Sequence, residues 1–167
     1  MQFFTILTVL SATIGTTFAA DICALKTSNC AGDAACCAGI QEGSCCNLGG
    51  ATTRIRWKLP NNSRAVAYAG TGCTGGSITN NNPTARTVCF PFGSNRQSGK
   101  WLVGQASRVK RDPEVEACAE PNVVLKVRDG VTKKITLRDG QTADEALDSD
   151  EFEGEVVETI SEFEDIM

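Results

Sequence analysis

Cysteine is the residue type with which this chain can do the most chemistry. Nine cysteines stand at positions 23, 30, 36, 37, 45, 46, 73, 89 and 118, and there is no histidine. Without His the chain alone cannot build a Ser-His-Asp triad, a Cys-His dyad or a His-ligated zinc site. Thiolate zinc clusters are open to it in principle, but so many thiols in a short chain suit disulfides in an oxidising compartment. The spacing C-x6-C-x5-CC-x7-CC-x26-C-x15-C runs from Cys23 to Cys89. These eight, Cys23, Cys30, Cys36, Cys37, Cys45, Cys46, Cys73 and Cys89, are expected to close four disulfides, leaving Cys118 over. Spacing alone does not choose their connectivity. Neighbouring cysteines rarely bond each other, so Cys36-Cys37 and Cys45-Cys46 are each expected to diverge to two partners.

Other catalytic inventories are thin. There is no Walker loop, no Gly-x-Ser-x-Gly elbow and no dinucleotide fingerprint. Before residue 112 the mature carboxylates are only Asp21, Asp33 and Glu42, a poor supply for a paired-carboxylate glycosidase. Asp148-x-Asp150 opens like a calcium loop, but Glu153 stands where glycine is required, so it reads as a solvated acidic run. The expectation is a non-enzyme with no catalytic residues, no metal and no cofactor.

Charge is the second signal. The net −4 of the 167 residues conceals two opposite halves. Residues 21–111 carry 11 Lys/Arg against 3 Asp/Glu, a net of +8, and residues 112–167 carry 5 against 17, a net of −12. So abrupt a switch is a candidate domain boundary. Within the basic half, Arg54, Arg56, Lys58 and Arg64 gather along one segment with Trp57 among them. If Trp57 points inward, the cations form an outer stripe able to attract anionic lipid headgroups or acidic glycans; a nucleic-acid partner is not expected. The −12 segment, held in the same chain, faces this stripe at high effective concentration and is expected to mask it.

These residues need elements to hold them. Asn29 to Ile40 reads as a short N-terminal helix with an alanine-rich centre. Thr53 to Leu59 alternates, with Ile55, Trp57 and Leu59 on one face and Arg54, Arg56 and Lys58 on the other. Ala65 to Ala69, Arg86 to Phe90 and Lys100 to Val103 read as further strands, with polar loops at 70–83 and 93–99. In the acidic half, Asn122–Val127 and Val131–Leu137 form a hairpin about Asp129-Gly130. Thr142 to Leu147 offers one helical turn with a Thr142–Glu145 capping box. Glu155 to Ile166 has helical apolar spacing. The fold class expected is α+β and β-rich: a small disulfide-stapled antiparallel β domain with one short N-terminal helix, then an acidic hairpin-plus-helix segment.

Residues 1–19 carry no charge and read as a secretory signal peptide, cut before Ala20. Asn61-Asn62-Ser63 is a glycosylation sequon at Asn61. Arg108-Val109-Lys110-Arg111 sits at the charge break and resembles the Arg-x-Lys-Arg site of kexin- and furin-type secretory proteases. The expected organisation is therefore 1–19 signal peptide, 20–111 basic cysteine-rich domain, and 112–167 acidic segment, a candidate pro-segment released by cleavage after Arg111. The kexin-type cut would use Arg108, Lys110 and Arg111.

Signal peptide, cysteine-rich core and dibasic site together resemble the layout of fungal small secreted cysteine-rich proteins, effector-like or killer-toxin-like. Val66 to Gly76 also resembles the Tyr-x-Gly-x-x-Cys-x-Gly strand-loop of fungal secreted proteins, some of which have γ-crystallin-like sandwiches. The two cysteine doublets resemble those of hydrophobins, although the remaining spacing differs. These resemblances imply an extracellular effector or antimicrobial, toxin-like protein. It would act without catalysis on an anionic membrane, a cell-wall surface or a host protein. The alternatives are a lectin-like cell-wall glycan binder with Trp57, Tyr68 and Trp101 as stacking platforms, and an uncleaved structural surface protein.

Overall fold

The computed structural model describes residues 19–82, 84, 86–104, 117–150 and 152–157. Among them nine strands form one antiparallel sheet in the order β5-β4-β6-β3-β1-β2-β7-β8-β9. In chain order the strands are β1 Ala19–Leu25, β2 Ala34–Gln41, β3 Cys46–Leu59, β4 Ser63–Tyr68, β5 Ser77–Asn82, β6 Arg86–Val103, β7 Val123–Arg128, β8 Val131–Thr136 and β9 Glu155–Val157. The described helix is α1, Ala143–Asp148. The protein is β-rich and disulfide-stapled, with little helix.

The alternation along Thr53–Leu59 sets the main core. Ile55, Trp57 and Leu59 are buried on one face with Ile22 from β1 and Val88 from β6. Ala65, Ala67 and Trp101 join the same cluster from β4 and the far end of β6. This is possible because β6 is long and bends. Arg86–Pro91 pair with β3, register shifts interrupt the ladder around Thr52, and Ser98–Val103 then pair with β4. Such bulges bend a strand and sharpen its twist. Gly99 lies at the point of closest approach: a Cβ there would sit 2.8 Å from Cη2 of Trp57. Trp101 Nε1 donates to the Ile40 carbonyl at 2.9 Å, whereas the buried Trp57 Nε1 has no hydrogen-bond partner among the described residues.

The opposite face is covered too. Cys23, Leu25, Cys30, Ala34, Cys36, Cys89 and Val123 cluster there. Four disulfides tie the basic half: Cys23–Cys36, Cys30–Cys89, Cys37–Cys46 and Cys45–Cys73. Each vicinal pair diverges to two partners, and Cys118 is a free thiol.

The N-terminal helix expected over Asn29–Ile40 is not formed; residues 34–41 are β2. The cysteines explain the difference. Cys36 bridges to Cys23 on one face of the sheet and Cys37 to Cys46 on the other. Adjacent residues reach opposite faces in a strand, not in a helix. Alanine's helix propensity is a weak preference that tertiary pairing overrides. Two polar stretches read as loops are also strand. Ser77–Asn82 pairs along the whole of β4, and residues 93–99 lie within β6.

In the acidic half, Asp129-Gly130 turns β7 into β8, with Asp129 at φ 53° and Gly130 at φ 76°. Thr142 and Glu145 cap α1 reciprocally. Ala143 and Ala146 pack on Ala35 and Val124. The helix expected over Glu155–Ile166 does not start there: Glu155–Val157 is β9, paired with β8, and residues 158–167 lie outside the described residues. Backbone pairing along an open sheet edge prevails over the helical spacing of Val156 with its downstream neighbours.

Candidate functional site

The outer face of β3 holds the cationic segment. Arg54, Arg56 and Lys58 alternate on it opposite the buried Ile55, Trp57 and Leu59, as strand periodicity requires. The structure nevertheless breaks the expected continuous stripe. Arg56 is only 3% exposed and Arg64 only 6%. The turn between β1 and β2, tied down by Cys30–Cys89, lies over β3 at this point, and Arg56 Nη1 donates to the Cys30 carbonyl at 3.5 Å. Burial holds the Arg56 guanidinium down to about 10, with Asp21 pulling it back up, so it is still protonated at neutral pH. Arg64 sits on β4, flanked by β5 and β6 on either side. Lys58 is exposed and Arg54 half-buried. These two therefore form the reachable remnant of the stripe. Among the described residues no carboxylate of the acidic half lies within ion-pair distance of either.

Trp57 cannot contact a ligand: it is completely buried in the core. The same holds for Trp101, which removes both as stacking platforms for sugar. Large apolar rings on the inward face bury the most surface, and that decides their position. Tyr68 is half-buried, and Lys100 Nζ lies 5.7 Å from its ring centroid. Asn61 is exposed in the turn between β3 and β4. Arg108, Lys110 and Arg111 lie outside the described residues.

Sequence reasoning missed a second feature, at the seam between the halves. Lys26, Asp33, Asp144, Leu147 and Asp148 line an open cavity of about 260 Å³. Lys26 Nζ pairs with Asp144 at 2.6 Å across 118 residues of sequence. Asp33 accepts from the Val127 backbone N–H at 2.7 Å. No local pattern announces a pair so far apart. Among the described residues no group of three or more His, Cys, Asp or Glu is arranged to hold a metal.

Cys118 is half-buried, next to the bridge between Ala119 and Cys46. Burial pushes its thiol up, Glu120 pushes it further, and Lys100 opposes them. A thiol so placed is a weak nucleophile toward the neighbouring disulfides, because exchange proceeds through the thiolate.

Residues 21–122 match the model of ARB_05566_N, described as an N-terminal domain. The match runs across the charge break and ends at the start of β7. No curated protein and no solved structure matches the chain.

Proposed function

The chain belongs to the ARB_05566_N family, and from that premise we propose that this member is an exported, non-catalytic binding protein that engages an anionic surface. The observation that carries this reading is the rigid cationic face of β3. Lys58 and Arg54 are presented on a sheet locked by four disulfides, within a segment of 11 cations and 3 carboxylates. Four bridges in so small a domain accord with an oxidising, extracellular environment. The biological class that fits is the fungal secreted effector or antimicrobial, toxin-like protein. It is made with a signal peptide over residues 1–19 and processed by a kexin-type protease after Arg111. Asn61, exposed in a turn, is the glycan acceptor. The acidic half neutralises the basic one at long range, and among the described residues it pairs directly with Lys26 through Asp144.

Two observations bear on the alternatives. Of the three aromatics expected to stack on sugar, Tyr68 is the one within reach, since both tryptophans are buried. An uncleaved surface protein is favoured by the way β7 is built into the sheet.

Vesicle sedimentation tests the reading. The secreted protein is expected to bind phosphatidylserine-containing vesicles and not pure phosphatidylcholine. Binding should fade as salt shortens the screening length to about 8 Å near physiological ionic strength. Lys58→Glu together with Arg54→Glu should abolish it. Equal binding to neutral vesicles, or binding indifferent to salt, would overturn the proposal.

A further inference from the structure

We propose that cutting this chain between its halves does not release the acidic half: β7 is a donor strand seated against β2, and the cut protein is a two-chain molecule held without covalent bonds. The inference rests on the processing reading above but concerns a different property, what holds after the cut.

Ala34, Ala35 and Cys36 of β2 pair with Leu125, Val124 and Val123 of β7. Both faces of that ladder are buried. Val123 enters the cluster around Cys23, Leu25 and Cys36. Val124 enters the one formed by Ala35, Ala143 and Ala146. Without β7, β2 would be an exposed sheet edge with an apolar surface, which natural sheets avoid.

The seam extends well beyond the ladder. Ala119 donates to the Cys45 carbonyl and accepts from Asn47 N–H, both at 2.8 Å. Asn47 Nδ2 donates to Glu120 at 2.7 Å. The Asn122 side chain accepts from Ala38 N–H at 2.7 Å and donates to the Ala38 carbonyl at 3.2 Å. Lys26 and Asp144 close the far end. Every C-terminal partner in these contacts lies at residue 119 or later, so a cut after Arg111 severs none of them. Cys118 is a free thiol and adds no covalent tether. The recognition mode is strand addition, in which main-chain bonds give affinity and alternate side chains fill pockets on both faces.

The test starts from the full chain cut in vitro by a kexin-type protease, with cleavage after Arg111 verified by mass. The product then passes through a size-exclusion column without reductant. The two fragments are expected to co-elute at the position of the uncut chain in native buffer and to separate in concentrated guanidinium. Separation in native buffer would overturn the proposal. So would fragments that stay together in guanidinium until reductant is added, because the link would then be covalent. Asn122→Ala removes two hydrogen bonds and leaves no buried charge; it should weaken reassociation of the cut fragments roughly 10-fold. No change on that substitution would also count against the seam as drawn. Mass analysis of the naturally secreted protein is a separate readout: an intact Arg111–Asp112 bond there ends the processing reading without affecting the in vitro result.

Discussion

Between Ala19 and Val103 the chain is tied by four disulfides; between Val123 and Val157 it is tied by cations aimed at carbonyl oxygens. In the first region the bridges cross strands and clamp the turn that covers Arg56. In the second, the buried Lys126 donates to the carbonyl and hydroxyl of Ser149 at 2.5 and 3.1 Å. Lys133 donates to the Phe152 carbonyl at 2.8 Å, and Arg128 reaches the Asp150 carbonyl at 3.4 Å. Lys133 and Arg128 also stack on the Phe152 ring, 4.7 and 5.2 Å from its centroid. Three of the five cations of the acidic half are thus used to hold its own backbone. One sheet is secured covalently on one side and electrostatically on the other. A disulfide acts chiefly on the unfolded ensemble, in the chain-entropy account. A buried ammonium acts on the folded state, where its loss leaves carbonyls unsatisfied.

The sharpest way to break this comparison is to remove the bridge with the longest span. Cys30 and Cys89 are separated by 59 residues. Cys30→Ala with Cys89→Ala should destabilise the protein by roughly 4 kcal/mol, seen as a lower denaturant midpoint, with Arg56 becoming accessible. An unchanged midpoint would mean that packing alone holds the β1–β2 turn against β6.

Crowding by a single methyl tests the two regions in the same way. Gly99→Ala pushes a Cβ to 2.8 Å from the Trp57 ring in the main core and should lower global stability by about 2–3 kcal/mol. Gly154→Ala places one 2.5 Å from the Lys134 carbonyl. It should detach β9 while leaving the midpoint of the bridged region in place, a contrast that amide exchange resolves strand by strand. If both substitutions lower one common transition equally, the two regions unfold as a unit and the comparison fails.

Lys126→Met keeps the length of the side chain and removes its charge. We expect a loss of roughly 1.5 kcal/mol, the low end for hydrogen bonds to a charged group. Amide exchange should quicken over residues 149–157 and stay slow in β3 and β6. Uniform acceleration across the sheet would contradict the assignment.

The smallest effect concerns α1. Glu145 accepts from Thr142 N–H at 3.0 Å, which holds its carboxyl below the usual range. A depressed carboxylate contributes stability that is present above its unfolded value and is lost as pH falls through the folded one. Protection of the α1 amides should therefore decline only in acid, and Glu145→Gln should remove that decline. A pH profile unaltered by the substitution would point to another carboxylate.

Much of the fold was legible where one face is apolar and the other is not. Ile55, Trp57 and Leu59 announce β3 and its buried side, and Asp129-Gly130 announces the β7–β8 turn. The Thr142–Glu145 capping box is a local interaction and so is local in sequence. Four bridges with Cys118 left over follow from counting. The candidate site was less legible. Arg54 and Lys58 are reachable, but nothing near Arg56 in sequence signals that a turn fastened to Cys89 will cover it. Asn-rich Ser77–Asn82 offers no strand signal because its stability comes from the β4 ladder.

By itself the amino-acid sequence determined what depends on neighbours within a few residues or on totals: alternation, turns, a cap, the cysteine count and the opposed charges of the two halves. The tertiary structure alone decided what depends on partners far apart in the chain. It sent Cys36 and Cys37 to opposite faces and so made β2 a strand, buried Arg56, and joined Lys26 to Asp144. It also seated β7 of the acidic half beside β2 of the basic one. The reason is physical: pairing energy along a sheet is gained across chain distances that no local preference encodes, and where the two conflict the non-local contacts prevail.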